Sequence, residues 1–189
     1  MKHIATLMLL LHLGVAAVYA QEKPVRMTFS GTGAPSAVNL LQPNTSNDED
    51  NVAGKGTLGS FKFRQIRAIS NSAGGSPPSS CSGANLLFLP DLAGGGVFRF
   101  EDGSLLNVQL VEGGDCIDLS SNVAHCTLTL QITGGTGRFK NASGTLTYTE
   151  TAVTVLSDAS GNPVLFDATG EFTGTVSGVS EEQGQDEGQ

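Results

Sequence analysis

Apolar and polar side chains alternate with a period of two along most of this chain. In Ser60–Ser70 (SFKFRQIRAIS), Phe61 and Phe63 stand opposite Lys62 and Arg64. In Gly96–Gly113, Phe98 and Phe100 precede an Asp102–Gly103 pair, and Leu106, Val108 and Leu110 follow it. Alternating segments joined by Asp-Gly are a strong hairpin signal. Cys126–Thr133 sets Leu128, Leu130 and Ile132 against Thr127, Thr129 and Gln131, and Gly144–Leu156 sets Leu146 and Tyr148 against a row of threonines. Ser160–Pro163 reads as a turn, and Val164–Val179 as a last glycine-kinked strand or strand pair. No segment carries a 3.6-residue amphipathic pattern over several turns, so the pattern predicts strands throughout.

A loose Gly-x-Phe repeat runs through these strands, at Gly59, Gly96, Gly137 and Gly170, with intervals of 37, 41 and 33 residues. The spacing is too irregular for a solenoid or propeller. It suggests one device reused: a glycine that lets the strand bend and an aromatic that fills the interior, as closing a sheet into a barrel requires. Thr133–Gly137 (TGGTG) supplies three glycines for a tight turn, Phe139 returns the chain to the core, and Asn141–Gly144 turns again.

The stretch Thr133–Thr147 (TGGTGRFKNASGTLT) resembles the corner turn of the allene oxide cyclase and dirigent-like β-barrels, most closely uncharacterised secreted bacterial members. Weaker correspondence in strand order extends from about Thr57 to Val179. The resemblance implies an all-β fold: a single antiparallel barrel of about eight strands, often with an apolar cavity. Its members include a fatty-acid oxide cyclase and proteins that guide phenoxy-radical coupling, whose catalytic residues lie outside the matching stretch.

The first twenty residues stand apart. Lys2 and His3, the apolar run Ile4–Val18 and the small-residue end at Val18–Ala20 have the three parts of a secretory signal peptide. Residues 1–20 are therefore assigned as a leader, 21–179 as the barrel and 180–189 as a disordered acidic tail, with a secreted or periplasmic location. Without Lys2, nine basic residues face eighteen acidic ones. That imbalance disfavours nucleic acid and anionic membrane surfaces as partners, and no apolar stretch forms a membrane anchor. Seven of the acids sit in Asn47–Asp50 (NDED) and the tail, which read as solvated loop and tail; NDED lacks the ligand spacing of a calcium loop.

Three cysteines follow the leader. Cys116 and Cys126 flank a strand connection, and a disulfide between them would close an eleven-residue loop, for roughly 2–3 kcal/mol on the chain-entropy view. Cys81, in a Ser/Pro/Gly-rich segment, is then free, paired between chains, or a substitute for one of the other two.

Catalytic signatures are few. One histidine, His125, follows the leader, so a multi-histidine metal site is excluded and no metal or cofactor is expected. His125 and Cys126 are strand neighbours facing opposite sides and do not make a thiolate–imidazole pair. Glu150 continues the Leu146–Tyr148 face, and Gln65 and Arg67 continue the Phe61–Phe63 face. The expected lumen and ligand contacts are Phe61, Phe63, Arg67, Leu128, Leu130 and Tyr148, with Glu150 the candidate general acid–base or polar anchor. Glu150 at the rim, meeting water, is the competing reading. Three function classes remain: a barrel binding a small lipophilic molecule, which is preferred; a cyclase or isomerase acting on such a molecule; and a packed structural barrel with a second copy of itself as partner.

Overall fold

The computed structural model describes residues 21–38, 40 and 42–180; the segments expected as a leader, 1–20, and as a disordered tail, 181–189, lie outside the described residues. Eight strands run in chain order: β1 (Lys23–Pro35), β2 (Thr45–Gly56), β3 (Gly59–Ser70), β4 (Leu86–Phe100), β5 (Leu105–Asp118), β6 (Val123–Gly135), β7 (Ser143–Ser157) and β8 (Pro163–Ser177). Each pairs antiparallel with the next, and β8 pairs with β1, so the sheet closes into an eight-stranded barrel. Closure leaves no edge strand to recruit another chain.

The two ends of the barrel differ. One end collects the tight turns β2–β3, β4–β5 and β6–β7, and it is packed solid. Phe29, Phe61, Phe63, Phe98, Phe100, Phe172 and Tyr148 fill it, most of them completely buried. Their rings interlock edge to face and stacked, with centroids 5.2 Å apart for Phe29–Tyr148, 5.0 Å for Phe63–Phe172 and 4.7 Å for Phe98–Phe172. Two glycines of the Gly-x-Phe repeat have a different purpose from the bend expected of them. At Gly96 a Cβ would come within 2.5 Å of the Phe63 ring, and at Gly170 within 2.6 Å of the Phe29 ring. These two glycines leave the space that a neighbouring ring occupies, whereas Gly59 and Gly137 take positive φ values in the turns, so the repeat combines ring packing with turn geometry.

The turn between β6 and β7 plugs this end. Gly137 takes a φ of +57°, and Gly137–Phe139 forms one 3₁₀ turn that drives Phe139 into the core. Arg138 lies over the rings of Phe100 and Phe139, its guanidinium carbon 4.9 and 4.5 Å from their centroids. It pairs with Asp102 at 2.8 Å and donates to the Leu58 carbonyl at 2.5 Å. One side chain thus ties three turns together, which explains the Arg–Phe pair in the glycine-dense stretch.

The other end is wider and polar. It is bounded by the β1–β2 and β3–β4 connections and by the β5–β6 and β7–β8 turns. Two segments differ from expectation there. NDED is not a solvated loop: it lies in β2, paired with both β1 and β3, with Glu49 outward and bonded to Ser36 at 2.6 Å, and Asp50 buried. The disulfide is Cys81–Cys116, not Cys116–Cys126, and Cys126 is a buried free thiol. The cause is a bulge in β5. The β5–β6 register slips between Leu110 and Glu112, leaving Val111 unpaired and exposed. The slip reverses the inward parity, so Leu106 and Val108 point in while Cys116, also even-numbered, points out. Cys126 lies opposite Asp115, and Cys116 opposite His125, on the other face. Cys81, in a 3₁₀ turn (Ser79–Cys81), meets Cys116 on the barrel's outer wall.

Candidate functional site

Among the described residues, the polar end of the lumen holds five carboxylates and one cation. Asp48 and Asp50 come from β2, Arg67 from β3, Asp91 from β4, Asp115 from β5 and Glu150 from β7. Period-2 geometry explains Asp48, Asp50, Arg67 and Glu150, which share the inward face of their strands with Val52, Phe63 and Tyr148. Asp91 and Asp115 arrive by bulges. In β4 the register shifts between Ala68 and Ile69 of β3, so that Leu92 is 51% exposed and Asp91 is buried. The β5 bulge at Val111 does the same for Asp115. Residues 91–94 and 110–113 face each other without ladder pairs, so two matched bulges turn two acids inward on neighbouring strands.

Arg67 is the hub. Its Nη1 lies 3.1 Å from Asp91 Oδ2, 3.1 Å from Asp115 Oδ1 and 3.1 Å from Cys126 Sγ, and its Nε lies 3.5 Å from Asp50 Oδ2. Gln65 donates to the same Asp50 oxygen at 2.6 Å. Burial alone would lower the Arg67 pKa; Asp115, Cys126, Asp91 and Asp50 outweigh it, and the guanidinium stays charged. The ligand atoms of Asp91, Asp115 and Cys126 lie within 4.8 Å of one another, a spacing that suits a metal ion. Arg67 Nη1 contacts all three, so the cation at their centre is the guanidinium.

One guanidinium does not neutralise five acids. Burial pushes Asp48 up to about 6, against the pull of Arg67. Burial also raises Asp91 to about 7, with Asp115 adding to it and Arg67 opposing it. Glu150 rises to about 8, from burial first and the Asp50 charge second. Its Oε2 accepts a hydrogen bond from the Tyr148 hydroxyl, whose own pKa burial and Glu150 drive up. Near neutrality Glu150 therefore keeps its proton. Burial likewise raises the Cys126 thiol well above its ordinary value, so it is not a nucleophile at rest.

Above this floor the lumen is hollow. A cavity of about 400 Å³ opens at the polar end. Its apolar walls include Ile69, Leu89, Ile117 and Phe166, and Asp48, Asp50, Arg67, Asp115 and Glu150 form its floor. Apolar walls with a few convergent polar groups are the usual composition of a small-molecule site. A larger groove of about 740 Å³ lies outside the barrel, between residues 75–80 and the outer faces of β4–β6; it is lined by Leu86, Phe88, Pro90, His125 and two threonines.

Of the residues expected to line a ligand site, Arg67 and Glu150 border the cavity. Phe61, Phe63, Leu128, Leu130 and Tyr148 are buried in the packed end, beneath the cavity floor. His125 is exposed on the outer wall, its Nδ1 3.2 Å from Thr151 Oγ1. The sequence reading missed Asp48, Asp50, Asp91 and Asp115. The first two had a usable signal, since they alternate in register with Val52. The other two carried only the glycines that flank the bulges, Gly94–Gly96 and Gly113–Gly114. No family model matches this chain, and no curated protein matches it.

Proposed function

We propose that this is an exported barrel that binds one small lipophilic molecule in the hollow at its polar end, and that it is of the allene oxide cyclase and dirigent-like kind. The observation that carries the reading is the cavity: about 400 Å³ of space with apolar walls and a charged floor, in a barrel whose other half is packed solid. A structural barrel would gain stability by filling that space too, because unfilled apolar volume costs packing energy. The Cys81–Cys116 disulfide fits an oxidising compartment outside the cytosol.

Titration calorimetry with 1-octanol tests the reading, comparing the native chain with Ala152→Phe, which places a ring in the cavity. Saturable one-to-one binding that Ala152→Phe abolishes is expected. Absence of binding, or equal binding by both proteins, refutes it.

One observation favours a second reading, an isomerase or cyclase. Glu150 holds a proton near neutral pH at the cavity floor, backed by the Tyr148 hydroxyl. Such a group can protonate an oxygen of a bound ligand and recover the proton after rearrangement, with no net change in atoms. The barrel's contribution would be to orient the ligand and exclude water. This reading requires that Glu150→Gln abolish turnover while leaving ligand affinity intact.

A further inference from the structure

We infer that the ligand of this cavity is a lipophilic cation, an amine or quaternary ammonium whose chain lies along the apolar walls and whose charged head rests on the carboxylate floor. The inference deepens, and rests on, the reading of the cavity as a ligand site. It starts from the balance of charge. Among the described residues, Asp48, Asp50, Asp91, Asp115 and Glu150 share one end of the lumen with a single cation, Arg67. That cation is already engaged by Asp50, Asp91 and Asp115. An anionic ligand would have to displace these carboxylates from Arg67 and add a further negative charge to the floor. A cation meets no such competition. The Asp48 side chain feels the charge of Arg67 but forms no hydrogen bond or close ion pair among the described residues, and Glu150 is held by the Tyr148 hydroxyl; both line the cavity. Because Asp50, Asp115 and Glu150 are buried, each such attraction is stronger than in bulk solvent.

The walls then select the kind of cation. A bare metal ion gains nothing from Ile69, Leu89, Ile117, Ala124 and Ala152, whereas an alkyl chain does. Phe166 adds an aromatic ring to the same lining, and an organic ammonium is attracted to a ring face. Burial has raised Asp48, Asp91 and Glu150, as expected of carboxylates short of a counter-charge. A bound ammonium supplies that charge and favours their ionised forms.

The test uses three probes of equal chain length, octylamine, 1-octanol and octanoate, titrated into the full exported chain at pH 7.5. Octylamine is expected to bind at least about tenfold more tightly than 1-octanol, and octanoate more weakly than both, a preference of about 1.4 kcal/mol or more. Octylamine affinity should rise between pH 5.5 and 8.5 while 1-octanol affinity does not. Across that range Asp48, Asp91 and Glu150 lose protons; the other groups facing them are Asp50, Arg67, Asp115, Cys126 and Tyr148, and an alkylamine stays protonated up to about pH 10. The double variant Asp48→Asn/Glu150→Gln should reduce the preference of octylamine over 1-octanol to about threefold or less, and an undiminished preference in it would overturn the inference. Both replacements are neutral isosteres of groups that burial already biases toward neutrality, so the variant folds.

If 1-octanol binds and octylamine binds no tighter, the charge inference is overturned and the cavity reading stands. If no probe binds, the cavity reading fails and the inference with it. Calcium binding without octylamine binding also overturns the inference.

Discussion

Replacing Glu150 with glutamine should stabilise this protein, and more so as the pH rises. The carboxyl group has an ordinary pKa of 4.5 and is raised to about 8 in the fold, first by burial and then by the Asp50 charge. A raised carboxylate stabilises the folded state fully below its unfolded pKa, and that contribution is lost as pH climbs through the folded value. For Glu150 the loss runs from about pH 4.5 to about pH 8. At roughly 1.4 kcal/mol per pH unit, the whole span corresponds to about 3–5 kcal/mol. Glutamine occupies the same volume, can still accept the Tyr148 hydroxyl bond through its amide oxygen, and cannot ionise. The variant and the native chain should therefore have equal stability near pH 4.5. They should separate steadily until, at pH 8.5–9, the variant leads by about 3–5 kcal/mol, or on the order of 10 °C in Tm for a chain of this size. Urea unfolding followed by far-UV circular dichroism at half-unit pH intervals measures the separation. A variant that is equally stable at pH 9, or less stable, would show that Glu150 is solvated at the rim and that the floor is not a buried acidic cluster.

The remaining predictions concern the frame around that cluster. Peptide mapping of the unreduced chain should recover Cys81 joined to Cys116 and Cys126 unmodified, with Cys126 reacting with thiol reagents only after unfolding. Cys81→Ser should cost about 3–4 kcal/mol in denaturant unfolding, because the bridge spans a sequence separation of 35 residues. Arg138→Ala, which removes the Asp102 pair, the bond to the Leu58 carbonyl and two ring contacts, should cost about 2–3 kcal/mol; Arg138→Lys should recover less than half, since an ammonium cannot make the fork and the stack together. Gly96→Ala should cost at least about 2 kcal/mol by forcing the Phe63 ring from its place, with no effect on the pH dependence. Deleting Val111 should remove the register slip between Leu110 and Glu112, turn Asp115 outward and free Cys81 and Cys116, read as three titratable thiols in the unfolded chain.

Period 2 was legible wherever the inward face is apolar: Phe61 and Phe63, Leu128 and Leu130, and Leu146 and Tyr148 mark their strands. It failed where the inward face is polar. Ser46, Asp48 and Asp50 face inward from β2 as regularly as Phe61 and Phe63 do from β3, yet a strand whose inner residues are acids reads as loop. The two bulges hid more. Val111 and Leu92 each insert one residue and reverse parity beyond them, so counting from Leu106 or Phe98 aims Cys116 inward and Asp115 and Asp91 outward. The missed Asp91 and Asp115 both come from this pair of one-residue slips, and the slip in β5 also carries Cys116 to the outer wall, away from Cys126. No local composition marks such slips beyond nearby glycines; they are fixed by how eight strands must stagger to close. Arg67 and Glu150 were accessible because β3 and β7 keep their parity from the aromatic core up to the floor.

The central claim is that the hollow end of the barrel takes a lipophilic ligand, and methyl NMR on the chain with saturating 1-octanol tests it most directly. The account predicts shifts confined to Ile69, Leu89, Ile117, Ala124 and Ala152, which line the cavity, with Leu128, Leu130 and Leu146 of the packed end unchanged. Shifts centred on Leu86 in the outer groove, or no shifts at saturation, would contradict it.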